Sequence, residues 1–341
     1  MKRVTIACLL CFALPALAVS NSFQWVGLYG YVQKTTDTNW CDSANWSNVT
    51  TSTYNDGYPD AIGDVAHFHL TNALDYVVLA SNVTIGGFTN NATRVASGPP
   101  WQEEMYVKEI SDDGSGSVIT MDNGTNRAFW TYYDETAYYR DPSGQEISIP
   151  LHINGDFRYW WKTQRNRTYG GKISGTGDVW LVWQTDDSSD DWTLSGANNS
   201  FVGDLHLSQT NDKENAFIIS ADDYLPNGDL YTYHNGTSTT NTVTITSSGG
   251  AEDRLSDSCS VYLTNSVKLE LKSGVTETIN QLYINGVRQY FGTWGSTSSA
   301  ADNKNDTYFE GTGVLTVLNG TVLAYRVRSL NGRWLLRLRA E

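Results

Sequence analysis

The sequence predicts an all-β protein built as a β-solenoid, a coil of short strands that stack on one another. The 170–207 stretch carries the pattern most plainly, with short runs of alternating or β-branched residues between turn clusters rich in Gly, Asn, Asp and Ser. Each run is too short to bury a face alone, so it has to stack on neighbours of the same kind. Helical periodicity is nearly absent, and 30 glycines and 7 prolines mark turns along the chain.

Residues 1–18 are expected to be a secretory signal peptide. Lys2 and Arg3 give a positive start, residues 6–14 form an apolar run, and Ala16-Leu17-Ala18 is a cleavage site of small residues. That apolar run is too short for a permanent transmembrane helix, and no later segment has the ~20 consecutive apolar residues that one needs. We therefore expect an exported protein, secreted or at the cell surface, without a transmembrane segment.

The net charge and the cysteines limit which partners, disulfides and cofactors are expected. A formal net charge of −14 disfavours nucleic acid and anionic membrane surfaces as partners. Two cysteines remain after the signal, Cys41 and Cys259, and they lie so far apart in sequence that we expect two separate thiols rather than a disulfide. No Cys/His spacing indicates zinc, and the sequence predicts no cofactor.

Residues 19–91 are predicted to form an N-terminal cap and the first coils. Trp40 and Trp46 are candidates to cover the open end of the coil, because the first coil otherwise exposes apolar core and an unpaired strand edge. The predicted strands of this part are 23–27, 64–68, 76–79 and 81–88.

Residues 92–318 are predicted to be the body of the solenoid, with elaborated, aromatic-rich coils at its start. Asn285-Gly286 is the clearest hairpin turn, and the polar 292–306 segment is expected to be a loop. The strands expected here include 118–121, 129–133, 147–151, 157–162, 179–183, 204–207, 217–220, 243–246, 260–263, 268–271 and 281–284.

Residues 319–341 are predicted to form a basic C-terminal hairpin. Its strands would be 321–328 and 333–339, and the arginines would blunt an edge strand against further stacking. A surface or secretion anchor is the alternative role for this tail.

Four motifs in a fixed order resemble those of a known family. They are NW…ANWS (39–47), GDVAHF (63–68), SNVTIGGFT (81–89) and ISGTG…TLSGANNSFVGDL (173–205), followed by a closing run at 282–317. The set resembles secreted bacterial proteins with autotransporter-associated β-strand repeats, of the type found in Verrucomicrobia, Lentisphaerae and Kiritimatiellae. The resemblance implies an exported right-handed parallel β-helix. It supplies no enzymatic activity, because these repeats are known chiefly as passenger scaffolds.

Aromatic residues between 129 and 161 are the feature most suggestive of a ligand. Trp130, Tyr132, Tyr133, Trp160 and Trp161 are candidates to bind carbohydrate, because aromatic faces contact the apolar faces of sugar rings. The partner would then be an extracellular polysaccharide or a cell-envelope component. The alternative is that alternate members of these runs are core residues.

Carboxylates and histidines are the other residues that could bind a metal or take part in catalysis. The 186–191 run could bind calcium, although solvated turns explain it as well, and His67 and His69 share one strand face without a third metal ligand. We predict no metal site and no catalytic residue.

We expect a non-enzymatic surface or extracellular scaffold, adhesin-like or part of a matrix. A carbohydrate-binding protein is the first alternative. A polysaccharide lyase or hydrolase is the second, and it requires two carboxylates and a basic residue that converge on one point in a groove.

Overall fold

Regular structure in the described residues is almost entirely β-strand, which confirms the all-β prediction. The only helical segment among the described residues is a single 3-10 turn, Ser43–Asn45. Strands are numbered β1 to β33 along the chain. The computed structural model describes residues 20–25, 39–54, 57–68, 74–92, 107–112, 114–134, 145–162, 167–184, 191–196, 199–210, 216–221, 224–225, 227–234, 241–246, 254–264, 266–321, 325–330 and 333–338.

The largest sheet, sheet A, has 13 strands. Its members from β4 to β26 pair in parallel, whereas the two ends of the sheet are closed by antiparallel pairs, β1-β2-β3 at one end and β26-β27 at the other. The strands are β1 (Ser22–Trp25), β2 (Trp46–Asn48), β3 (Thr53–Tyr54), β4 (Val65–Phe68), β7 (Gly87–Ala92), β10 (Ala128–Asp134), β13 (Phe157–Lys162), β16 (Val179–Gln184), β19 (Leu205–Gln209), β21 (Leu230–His234), β23 (Ser260–Leu263), β26 (Gln281–Ile284) and β27 (Val287–Arg288).

Sheets B and C, with 9 and 5 strands, are parallel throughout. Sheet B contains β5 (Leu74–Leu79), β8 (Val107–Asp112), β11 (Gln145–Ile147), β14 (Arg167–Tyr169), β17 (Asp191–Leu194), β20 (Ala216–Ile219), β22 (Asn241–Ile245), β24 (Val267–Leu271) and β30 (Phe309–Gly311). Sheet C contains β6 (Val83–Ile85), β9 (Ile119–Met121), β12 (Leu151–Asn154), β15 (Ile173–Thr176) and β18 (Ser200–Val202).

Two smaller sheets lie in the C-terminal part of the chain. Sheet D has 4 strands and the last sheet is a two-stranded antiparallel hairpin. The members of sheet D are β25 (Thr276–Ile279), β28 (Gly292–Gly295), β29 (Asn303–Lys304) and β31 (Val314–Val317), and those of the hairpin are β32 (Tyr325–Leu330) and β33 (Arg333–Leu338).

The order in which the chain visits the sheets is regular. From β4 to β18 the strands belong to sheets A, B and C in rotation, and from β19 to β24 they alternate between A and B. We call one pass through the sheets a round. Because each sheet A strand pairs in parallel with the sheet A strand of the next round, equivalent positions of successive rounds lie side by side.

A continuous apolar core runs along the rounds. Successive side chains of a strand point to opposite faces, so every second residue faces inward. Tyr159 of sheet A contacts Trp192 of sheet B with ring centroids 5.1 Å apart, which places both sheets on the same core. One inward row of sheet A consists of Ala128, Phe157, Val179, Leu205, Leu230, Val261 and Leu282, all buried.

Trp40 and Trp46 lie at the β1 end of this core, and both are 0% exposed. Their rings are 5.0 Å apart, and both contact Phe68. The Trp46 indole N–H donates to the Trp40 carbonyl at 2.7 Å, and the Trp40 indole N–H donates to the Pro59 carbonyl at 3.2 Å. Both rings are therefore fixed by packing and by a polar contact.

Several local predictions can be compared with the described residues. The Asn285-Gly286 turn is confirmed, since both residues have positive φ (50° and 75°) between antiparallel β26 and β27. An antiparallel C-terminal hairpin is present, with β32 at Tyr325–Leu330 where strand 321–328 was predicted. Cys41 and Cys259 are separate free thiols, as predicted. The 292–306 loop is wrong, because β28 and β29 lie within it. The predicted 147–151 strand is interrupted between β11 and β12, beside Pro150, which has no N–H to donate.

Candidate functional site

The turns that lead into sheet A repeat a Gly-Asp pair. Each glycine has a positive φ, which residues with a Cβ avoid. A Cβ on Gly177 would collide with the carbonyl group of Gly155, and a Cβ on Gly203 with that of Gly177, so the glycines also permit close stacking of the turns. The pairs precede β13, β16, β19 and β21, and they are Gly155-Asp156, Gly177-Asp178, Gly203-Asp204 and Gly228-Asp229.

The aspartates of these pairs form a hydrogen-bonded ladder. The backbone N–H of Asp178 donates to Oδ1 of Asp156 at 3.2 Å, that of Asp204 to Asp178 at 2.9 Å, and that of Asp229 to Asp204 at 2.8 Å. Ser260 extends the ladder by donating its N–H to Oδ1 of Asp229 at 2.7 Å. Only one oxygen of each carboxylate is used in this way, so Oδ2 takes no part in the ladder.

Beside the ladder, aromatic rings of successive rounds stack on the outer face of sheet A. Ring centroids are 3.7 Å apart for Trp180–His206, 4.8 Å for His206–Tyr231, 4.4 Å for Tyr231–Tyr262 and 4.5 Å for Tyr262–Tyr283, with interplanar angles of 13° or less. These separations match the ~4.8 Å spacing of paired strands. Since neighbouring rings cover one another's facing sides, few ring faces remain for solvent or a ligand. We call this row the ring stack.

An arginine lies over the first member of the ring stack. The Arg127 guanidinium carbon is 4.8 Å from the centroid of the Trp180 ring, a cation–π distance. The same guanidinium group is 3.8 Å from Oδ2 of Asp156, at the start of the aspartate ladder. Burial, with the nearby charge of Arg127, lowers the pKa of Arg158.

His206 is the one imidazole in the ring stack, and its side chain is 8% exposed. Its Nδ1 lies 3.2 Å from the Tyr233 hydroxyl group, and this contact limits rotation of the ring within its own plane. Its Nε2 is buried and has no partner within hydrogen-bond distance; Oδ2 of Asp178, 3.6 Å away, is its ion-pair neighbour. Burial lowers the pKa of His206, and the charges of Asp178 and Asp204 oppose this. The neutral imidazole is therefore favoured at pH 7.

The ladder and the ring stack meet at one cluster. Ligand atoms of Asp178, Asp204 and His206 all lie within 4.8 Å of one another. One imidazole nitrogen and two carboxylate oxygens form a donor set suited to a divalent transition metal. Chemically, the cluster can hold a cation or a proton between rounds. Among the described residues, it is the one group of this kind.

The predicted carbohydrate-binding residues do not form one surface. Trp130 is 3% exposed, and its ring lies 4.3 Å from Phe88 and 5.5 Å from Tyr159 in the core. The expectation that Trp130 presents a ring face to a sugar is wrong, because Trp130 shares the inward row of those two residues. Trp160 follows Tyr159 on the opposite face, where it is half-buried, and the Arg158 guanidinium carbon is 5.9 Å from its ring centroid.

The remaining three candidates are placed by their backbone alone. Tyr132 pairs with Trp161 across neighbouring strands, and Trp161 pairs with Trp183, which is buried. Tyr133 is the next residue along its strand and occupies a position on the opposite sheet face. The side chains of Tyr132, Tyr133 and Trp161 lie outside what the structure describes. Their binding to carbohydrate stays a prediction.

The other residues considered for chemistry do not converge where they are described. His67 is half-buried, and its Nδ1 lies 2.6 Å from the Thr89 hydroxyl group; burial lowers its pKa. Within the acidic run, only Asp191 is described, and its Oδ1 accepts from the Ala216 N–H at 3.2 Å. His69 and residues 186–190 lie outside the described residues.

Sequence reasoning missed the cluster of Asp178, Asp204 and His206. The signal was present, because His206 stands two residues after Asp204, as Trp180 stands after Asp178 and Tyr231 after Asp229. Ladder partners are 22, 26, 25 and 31 residues apart in sequence. Aligning the Gly-Asp pairs at these variable spacings would have placed the three residues side by side.

No family model matches the chain, and comparison with curated proteins and with solved structures gives no match either. In the part of the chain that the structure describes, none of the helices is long and apolar enough to cross a membrane.

Proposed function

We propose that this protein is an exported right-handed parallel β-helix that acts as a non-enzymatic scaffold. It works at the cell surface or in the extracellular medium, as an adhesin-like or matrix protein. The observation that carries the proposal is that side chains on both faces of sheet A are occupied in contacts within the protein. Inward residues fill the core, and the outward ladder and ring stack join each round to the next.

Support for the solenoid comes from the order of the strands. Rotation through sheets A, B and C with parallel pairing between rounds is what coils of a β-helix require, and ladder partners 22 to 31 residues apart give the length of one coil. The family resemblance of the sequence motifs points to the same fold and supplies the handedness.

Support for a scaffold comes from the stability that the aspartate ladder and the ring stack give to the rounds. Stacked rings and charge-assisted hydrogen bonds between rounds stabilise the stack along its length and leave few ring faces for a ligand. The outermost strands of sheet A, β3 and β27, are only two residues long, and such short edge strands limit the addition of further strands. A stiff, closed, acidic rod is suited to holding other components at a distance.

Export rests on the sequence of residues 1–18, which lie outside the described residues. The two free thiols, half-buried Cys41 and buried Cys259, are compatible with either side of a membrane. An extracellular polysaccharide or a cell-envelope component would be the scaffold's partner.

Two measurements on the full chain test the proposal. Small-angle X-ray scattering of the secreted protein is expected to give a rod roughly 60 Å long, from 13 strands of sheet A at ~4.8 Å each. N-terminal sequencing of material from the medium is expected to begin after Ala18. In the control, Leu9→Arg with Leu10→Arg breaks the apolar run and is expected to keep the protein inside the cell. A compact spherical particle, or an intact N-terminus on secreted material, would contradict the proposal.

Carbohydrate binding is a second candidate because Trp160 lies on the outer face beside Arg158. A glycan array probed with the wild type and with Trp160→Ala separates the two functions. The scaffold function predicts no glycan binding that depends on Trp160. Binding that Trp160→Ala abolishes would favour carbohydrate recognition, and release of products from a bound polysaccharide would make the protein an enzyme.

A further inference from the structure

We propose that Asp178, Asp204 and His206 form a binding site for a divalent transition metal, with Zn²⁺ as the ion of choice. The site lies on the outer face of sheet A, across the boundary between the round that contains β16 and the round that contains β19. It is independent of the scaffold function and would link two consecutive rounds.

The distances between the ligand atoms suit a small cation. His206 Nε2 and Asp178 Oδ2 are 3.6 Å apart, and no pair of ligand atoms in the cluster is separated by more than 4.8 Å. Ligands of a tetrahedral Zn²⁺ ion at 2.0–2.2 Å lie about 3.3–3.6 Å from one another. A modest rotation of the carboxylates completes the set, and water takes the open position.

The imidazole is held in place before any ion arrives. His206 lies between the rings of Trp180 and Tyr231, at 3.7 and 4.8 Å, so it cannot tilt out of the ring stack. The Tyr233 hydroxyl group at 3.2 Å engages Nδ1 and leaves Nε2 to bind the metal. A hydrogen-bond partner on the second ring nitrogen is the usual arrangement of metal-binding histidines, because it sets the tautomer and orientation.

The carboxylates are held in the same way. Oδ1 of Asp178 accepts from the Asp204 N–H, and Oδ1 of Asp204 accepts from the Asp229 N–H. These bonds order the carboxylate groups while each Oδ2 stays outside the ladder. Hydrogen-bonded carboxylates are typical of metal sites.

His206 Nε2 is the observation that points to a ligand. A buried polar atom without a hydrogen bond is unfavourable, because burial has removed its contacts with water. At Nε2 a metal ion would replace this unfavourable state with a coordinate bond, and its charge would offset two neighbouring carboxylates. The Arg127 guanidinium group contacts Asp156, one round earlier, so its charge reaches the cluster from a distance, and it forms no ion pair with Asp178 or Asp204 among the described residues.

The donor set selects among cations. Ca²⁺ takes six to eight oxygen ligands and Mg²⁺ retains most of its water, so a site with one nitrogen and two oxygens suits neither. Imidazole with carboxylate suits Zn²⁺ and neighbouring transition metals. We therefore expect Zn²⁺ to bind and Ca²⁺ not to compete.

Titration calorimetry of the chelator-treated, untagged full chain tests the site. Zn²⁺ is expected to bind with one ion per chain at this site and to raise the midpoint of thermal unfolding, while excess Ca²⁺ leaves both unchanged. His206→Gln and Asp204→Asn are expected to weaken binding at least about tenfold, the loss seen even when only a hydrogen-bond partner of a ligand is removed. Unchanged Zn²⁺ affinity in His206→Gln would overturn the proposal.

Asp229→Asn is the matched control. Asp229 belongs to the same ladder and accepts from Ser260 at 2.7 Å, but the residue two positions on is Tyr231 instead of a histidine. This variant is expected to bind Zn²⁺ as the wild type does. Should the ligand variants fail to fold, X-ray absorption of the Zn²⁺-loaded wild type decides, with one imidazole and otherwise oxygen ligands at about 2.0–2.2 Å expected. A spectrum without imidazole, or with sulfur, would refute the site.

Discussion

Adjacent side chains on β10 and β13 differ sharply in their surroundings, because a strand turns successive residues to opposite faces. Trp130 and Tyr159 lie in the core, whereas Trp160 lies on the outer face beside Arg158. Trp130, Tyr159 and Trp160 are all large aromatic residues, yet they contribute differently to stability. The inward residues contribute apolar burial, and the outward residue contributes contacts with its own strand.

At this scale we predict that Trp130→Ala destabilises the protein far more than Trp160→Ala. Removing the buried indole is expected to cost ~3–5 kcal/mol of unfolding free energy, because it leaves a cavity between Phe88 and Tyr159. Trp160→Ala is expected to cost about 1 kcal/mol or less. Guanidinium unfolding followed by circular dichroism measures both. Equal losses in the two variants would show that the assignment of faces is incorrect.

At the scale of elements, the turns before sheet A determine how closely the strands stack. Gly155 and Gly177 both have positive φ, 105° and 129°. They differ in their neighbours, since a Cβ on Gly155 meets nothing within 4 Å, whereas one on Gly177 collides with the Gly155 carbonyl group. The two positions separate the cost of backbone conformation from the cost of close approach.

We predict that Gly155→Ala costs about 1–3 kcal/mol, the usual penalty for a non-glycine residue at positive φ. Gly177→Ala is expected to cost about 4 kcal/mol or more, because the added methyl group also pushes two rounds apart. Thermal and denaturant unfolding of the pair against wild type provides the measurement. If Gly177→Ala were the milder change, close stacking of these turns would not be what requires glycine.

At the scale of the whole molecule, the end of the core at β1 has to be covered. Trp40 and Trp46 form this cover together with β2 and β3, which pair antiparallel beyond β1. Without it, apolar rings such as Phe68 and the edge of sheet A would contact water.

We predict that Trp46→Ala makes the protein self-associate through this end. Terminal units of repeat proteins keep the stack soluble, so loss of the cover exposes both apolar surface and a strand edge. Size-exclusion chromatography with light scattering is expected to show oligomers that grow with concentration. Val287→Ala, at an exposed position on the last strand of sheet A, is the control and is expected to leave the mass unchanged. A monodisperse Trp46→Ala protein of wild-type mass would argue against a capping role.

Local features were predictable from the sequence because they depend on residues near one another in the chain. Alternation in 157–162, 260–263 and 281–284 identified β13, β23 and β26 to the residue. Asn285-Gly286 identified its hairpin, since both residues tolerate positive φ. The 292–306 segment was misjudged, because β28 pairs with β31, which lies outside the segment, and β29 then pairs with β28. The small polar residues of β28 and β29 carry little strand propensity of their own.

The sequence by itself determined the all-β class, the periodicity and most strand positions, because hydrophobic alternation and turn residues act locally. Only the tertiary structure decided which strands are neighbours, and thus which residues share a site. Asp178 and Asp204 are 26 residues apart in the chain but adjacent in the ladder, and His206 joins them because β16 and β19 pair in one particular register. Because the rounds differ in length, a search for a repeat of fixed length does not reveal that register. The cluster of two carboxylates and one imidazole is consequently a property of strand pairing, which local sequence patterns do not encode.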